Sequence, residues 1–186
     1  MIKVLWLFIM MTPLYSSSMV QRVAIEGHAF TLLTESYHLY DSRGESMKFY
    51  KEEKSEDLTY LLTLVLEDKT GGCSGKTIQK GAYEIVGGEL VLYSFWDKSG
   101  TLREAPRGAR IQRYKVGERG VFELLSSRIY IEVGDEPNEK YPKKLAVYVK
   151  RMEKLFEGDF VLGEEGEKLL QKVQKALRKK QPKWKN

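Results

Sequence analysis

The sequence predicts a mainly β protein: an eight-stranded antiparallel up-and-down barrel followed by C-terminal helices, with a β-sandwich as the alternative. Three observations lead there. Between Phe30 and Val133, eight short apolar and aromatic segments, near 30–40, 46–52, 58–67, 77–86, 89–96, 109–116, 121–125 and 128–133, are separated by turn residues. A long antiparallel run of this kind closes into a barrel or packs as two layers, because open edges and one-sided apolar faces must be covered. Finally, Tyr60 to Leu66 and Leu90 to Trp96 are apolar on both faces, where a strand with one wet face would alternate. In a barrel the outer face of such strands meets a packed helix; in a sandwich it needs a partner surface.

Taken in order, the first eighteen residues read as an export signal. Lys3 is the positive start, Val4 to Tyr15 the apolar stretch and Ser16-Ser17-Ser18 the small-residue cleavage site. The alternative is a retained anchor, against which stand a run shorter than the roughly 20 residues a spanning helix needs and Pro13 inside it. Each strand join then has its own turn chemistry: Asp41-Ser42-Arg43-Gly44, Thr70-Gly71-Gly72, Gly87-Gly88, Asp97-Lys98-Ser99-Gly100 and Gly117-Glu118-Arg119-Gly120. Gly87-Gly88 is the sharpest, a two-residue link whose glycines supply the positive φ of a type I′ turn.

After Val133 the texture changes. Residues 134–138 read as a loop, and Leu145, Tyr148, Val149, Met152, Leu155 and Phe156 recur at helical spacing, so an amphipathic helix over 143–156 is expected to pack on the sheet. A short extended segment spans 158–163. A second helix, 164–180, has acids in its first turn, bases in its last and a narrow apolar stripe of Leu169, Leu170, Val173 and Leu177. Residues 181–186 are expected to fray. The organisation read from the chain is thus a signal over 1–18, a barrel domain with its packed helix over 19–163, and a basic helix and tail over 164–186.

The mature chain of about 168 residues suits one domain with a sound core. Cys73 is the only cysteine, so no intramolecular disulfide forms, and its ordinary role is that of a small buried hydrophobe. The formal charge is +5, and residues 164–186 alone carry three acids and eight bases, which leaves the body near neutral. A body without a concentrated basic face does not suit nucleic acid.

Catalytic patterns are weak. Thr70 to Thr77 ends in Gly-Lys-Thr like a phosphate-binding loop, but Thr70 stands where the first glycine belongs and a β segment follows where a helix is needed. His28 and His38, the only histidines, make no zinc spacing with Cys73. A Cys73–His38 nucleophile pair would have to be assembled by the fold. No Gly-x-Ser-x-Gly elbow occurs. The reading is therefore non-enzymatic, with no cofactor and no metal.

Aromatic residues are richer. Tyr83, Tyr93, Trp96 and Tyr114 stand on adjacent segments with Arg110 among them, and could wall a pocket in which the arginine is the polar anchor. The competing reading is that they fill a core. The basic second helix has three readings: a solvated face, a contact with a membrane surface aided by Trp184, or an arm that docks another envelope protein.

An export signal, eight antiparallel segments with short links and a helix after the last one together resemble the lipocalin-like (calycin) group of small ligand-carrying barrels. Gly27-His28-Ala29 has the glycine of that group's first-strand Gly-x-Trp but not its tryptophan, and Arg128 matches the arginine that closes the barrel end. The resemblance implies a cup for a small apolar or amphipathic molecule, without catalysis. The expectation is an exported binding protein, periplasmic or secreted; the alternative is an envelope assembly factor with a filled barrel.

Overall fold

The computed structural model describes residues 19–39, 41–52, 57–72, 75–100, 107–132, 150 and 158–179. The expected signal over 1–18, Cys73, the helix over 143–156 with its preceding loop and the tail over 181–186 lie outside these residues, except for Lys150. Nine strands and one helix follow in order: β1 Met19–Ile25, β2 His28–His38, β3 Ser42–Glu52, β4 Leu58–Gly72, β5 Gly75–Val86, β6 Glu89–Gly100, β7 Arg107–Val116, β8 Phe122–Glu132, β9 Asp159–Val161 and α1 Gly163–Arg178. Among the described residues no helix is long and apolar enough to cross a membrane.

The strands form one sheet in simple sequence order, antiparallel from β1 to β8, with β9 added parallel to β8. The expected closed eight-stranded barrel is not what forms: the sheet is open. One physical reason lies at its edge, where β9 pairs with Arg128 to Tyr130 of β8 and occupies hydrogen-bonding groups that a closing β1 would need. The strand inventory also differs. β1 was not expected; Glu26 and Gly27, with φ of 50° and 78°, turn it back into β2. The segments 121–125 and 128–133 are one strand, β8, carrying a bulge at Leu125 where the register against Arg113 and Tyr114 shifts. Gly87 and Gly88 take φ of 59° and 78° between β5 and β6, as the two-residue link requires.

The open sheet covers its apolar face by folding over. β4 pairs with β5 only from Glu67 to Gly72; Gly81 stays close against the Val65 carbonyl, and beyond it Leu58–Leu64 and Ala82–Val86 diverge. This lets β1–β4 swing across β5–β8, and Ile25, Phe30, Leu32, Met47, Phe49 and Leu64 pack with Leu90 and Leu92 as one cluster. Phe30 stacks on Phe122 at 4.9 Å, and Phe49 meets Tyr83 and Phe122 edge-on at 5.7 and 6.1 Å.

The opposite face of β5–β8 is covered by α1. Leu169, Leu170, Val173 and Ala176 are buried against Ala82, Val91, Tyr93, Ala109, Ile111 and Tyr130. Fully burying each larger side chain of this kind contributes about 1.5–3 kcal/mol. Arg128 pairs with Glu165 at one end of the helix and Lys179 with Glu84 at the other. The helix over 164–178 is therefore part of the fold's packing rather than a separable tail.

Candidate functional site

The candidate site is the inner face of β5–β8, turned toward β1–β4. Side chains alternate along a strand, and residues directly opposite on paired strands share a face. Leu90 and Leu92 of β6 belong to the folded-over cluster, so Ser94 and Trp96 follow on the same side. Register then carries the face outward: Leu92 pairs with Tyr83 and Gln112, Leu90 with Tyr114, Ser94 with Arg110 and Trp96 with Gly108. On β8, Ser127 stands opposite Gln112, Ile129 opposite Arg110 and Ile131 opposite Gly108. Phe160 of β9 joins beside Ile129.

Of the residues expected to line a pocket, Tyr83, Trp96, Arg110 and Tyr114 share this face. Tyr93 does not: it is buried beneath α1, where its hydroxyl donates to Glu84 Oε2 at 2.9 Å. Burial, reinforced by that carboxylate, pushes the Tyr93 hydroxyl up to about 12. Its removal from the wall follows from strand geometry, since Tyr93 and Trp96 are three residues apart. Tyr83 and Tyr114 stand at the aromatic end, where Tyr83 meets Phe49 and Tyr114 meets Phe122 at 6.3 Å. They form the apolar floor of that end.

Three polar pairs occupy the face between its two apolar clusters. Arg110 Nε donates to Ser127 Oγ at 3.2 Å, Gln112 Nε2 to Tyr114 Oη at 2.7 Å, and Tyr83 Oη to Gln21 Oε1 of β1 at 3.1 Å. Burial raises the Tyr83 hydroxyl above its ordinary value, so it is a neutral donor at physiological pH. Beyond this polar band, Ile129 and Ile131 are buried with Trp96 and Phe160 packed against them. The arrangement sets hydrogen-bonding side chains, among them a guanidinium suited to paired acceptors, beside half-buried aromatic rings.

Gln112, Ser127, Ile129, Ile131 and Phe160 were not singled out from the sequence. Gln112 was open to discovery, lying between Arg110 and Tyr114 at the two-residue period. Ser127 falls between the expected segments 121–125 and 128–133, which the bulge at Leu125 joins into one strand. His28 and His38 sit at opposite ends of β2, about 33 Å apart at the usual rise, so they build no common site. Comparison of the chain with family models, curated proteins and solved structures gives no match.

Proposed function

We propose that this chain is an exported, non-enzymatic binding protein that holds a small apolar or amphipathic ligand on the inner face of its folded sheet. The ligand's polar head rests on Arg110 and Gln112, and its body lies along half-buried Trp96 and Phe160. One observation carries this reading: half-buried polar side chains form a band between two apolar clusters on a single face. The class of ligand is the one implied by the resemblance to the lipocalin-like group, held on an open sheet rather than in a closed cup.

Titration with dodecanoate and with dodecanol, followed by tryptophan fluorescence, tests it. Saturable changes are expected with both; Trp96→Phe removes the change while Trp184→Phe keeps it. Arg110→Gln weakens dodecanoate about tenfold, in keeping with the roughly 1.5–3 kcal/mol of a charge-assisted bond, and leaves dodecanol nearly unaffected. Absence of a saturable change across alkyl acids, alcohols and a lysophospholipid overturns the reading.

A second reading, an envelope interaction factor, is favoured by the edge of β4. Leu58 to Leu66 carries no charge, pairs among the described residues only with β3, and leaves Leu58 and Tyr60 exposed at 51% and 54%. An uncharged edge is a template for strand addition by another protein. Tyr60→Lys is expected to abolish such an association while leaving dodecanoate binding intact.

A further inference from the structure

Residues 164–186 carry eight bases against three acids, and within α1 the bases follow the acids along one exposed stripe of the helix. At about 100° per residue, Lys168, Gln171, Lys172, Lys175, Arg178 and Lys179 fall within an arc of roughly 120° whose centre is about 120° or more around the helix from buried Leu169 and Val173, with Lys172 and Lys179 on the side nearest Glu84 of β5. All six are exposed. The helix's acids, Glu164, Glu165 and Glu167, are confined to its start. Lys168 pairs with Glu164 at 2.6 Å in an exposed contact, and Lys179 pairs with Glu84; among the described residues Lys172, Lys175 and Arg178 enter no ion pair. Residues 1–163 carry no net charge, so the surplus belongs to this C-terminal part of the sequence.

We propose that the outward face of α1 docks the protein on an anionic phospholipid surface. The apolar side of the helix is already spent on Val91, Tyr93, Ile111 and Tyr130, so the contact is electrostatic and peripheral, with the helix lying parallel to the headgroups. The sequence that follows adds Lys180, Lys183 and Lys185 around Trp184, a pairing of basic and amphipathic aromatic residues that suits a headgroup layer better than an acidic protein or a nucleic acid. Each cation close to an anionic leaflet is worth about fivefold in affinity. The docking is independent of what the inner face binds.

The test is cosedimentation of the full chain with vesicles of phosphatidylcholine alone and of phosphatidylcholine with 30% phosphatidylglycerol. Any apolar insertion of the N-terminal segment acts on both vesicles, so the ratio of the two affinities reads the charge contact. That ratio is expected to exceed about tenfold at low salt and to collapse toward one as ionic strength rises. Lys168→Gln, Lys172→Gln, Lys175→Gln and Arg178→Gln together lower the ratio at least about tenfold, while far-UV circular dichroism and the melting temperature stay as in the parent. A parent ratio near one, or a ratio that survives the fourfold substitution, overturns the proposal. So does equal or tighter binding to heparin or duplex DNA than to the anionic vesicles at the same salt, which assigns the face to another polyanion.

Discussion

Two tyrosines ten residues apart on one hairpin show how the face a residue occupies decides its chemistry. Tyr83 looks inward and meets Phe49, whereas Tyr93 looks outward under α1 and gives its proton to a hydrogen bond with Glu84. Glu84 in turn is held below the ordinary carboxylate range, first by Lys179. A carboxylate of lowered pKa contributes stability that is present above the ordinary value near 4.5 and is lost as pH falls through its folded value. The tyrosine has the opposite sign. Its unfolded form ionises near 10 while the folded form keeps its proton to about 12, so stability falls as pH rises through that window. Tyr37, raised to about 12 by burial and then by Asp68, acts in the same direction. Urea midpoints at pH 9, 10 and 11 are expected to decline in the parent and to decline less steeply in both Tyr93→Phe and Tyr37→Phe. Parallel declines in parent and variants would sink this assignment of the alkaline loss.

Among the elements, α1 carries the largest revision of what the sequence suggested. Its stripe of Leu169, Leu170 and Val173 looked too narrow for a core helix, because two of its buried positions are Gly166 and Ala176, which an apolar count passes over. Small size is what they supply: a Cβ at Gly166 would fall within the ring of Tyr130 on β8. Leu169→Ala is expected to cost about 2–5 kcal/mol by the cavity it leaves, and Gly166→Val about 1–3 kcal/mol by overpacking, both read from urea denaturation. Deleting everything after Gly163 uncovers Val91, Ile111 and Tyr130 together and should yield aggregated protein; a monomeric, cooperatively folding truncation would show that the helix is a tail after all. Local chemistry was legible where it is self-contained, as at Gly87-Gly88 and in the extended segment at 158–163. Within β6, the two-residue period separates Tyr93 from Trp96, whereas relating Trp96 to Arg110 and Tyr114 needs the β6–β7 register. Closure was not legible, because it depends on how far β4 stays with β5 and on what occupies the edge of β8. β1 was missed for a related reason: its turn puts Glu26, not a glycine, at one positive φ.

At the scale of the molecule, the question is what binds two half-sheets that share only a short stretch of pairing at the β4–β5 crossing. With β4 and β5 joined from Glu67 to Gly72 alone, backbone hydrogen bonds do little to hold β1–β4 against β5–β8. The aromatic contact of Phe30 and Phe49 with Tyr83 and Phe122 supplies the link, and these four residues come from β2, β3, β5 and β8. Phe49 is fully buried at 0% exposure, so Phe49→Ala opens a cavity between the halves and is expected to cost about 3–5 kcal/mol. Because the cluster around Phe30 and Phe49 spans both halves, β1–β4 has no apolar interior of its own, whereas β5–β8 also buries its opposite face against α1; unfolding of β5–β8 removes the support of β1–β4. Far-UV circular dichroism reports the whole sheet and Trp96 fluorescence reports the β6 end, so in the parent the two urea transitions should coincide. In Phe49→Ala both midpoints should fall together. A biphasic curve, with fluorescence retained after part of the sheet signal is lost, would mean that β5–β8 with α1 stands as an autonomous unit and that the folded-over contact is an interface rather than a shared core.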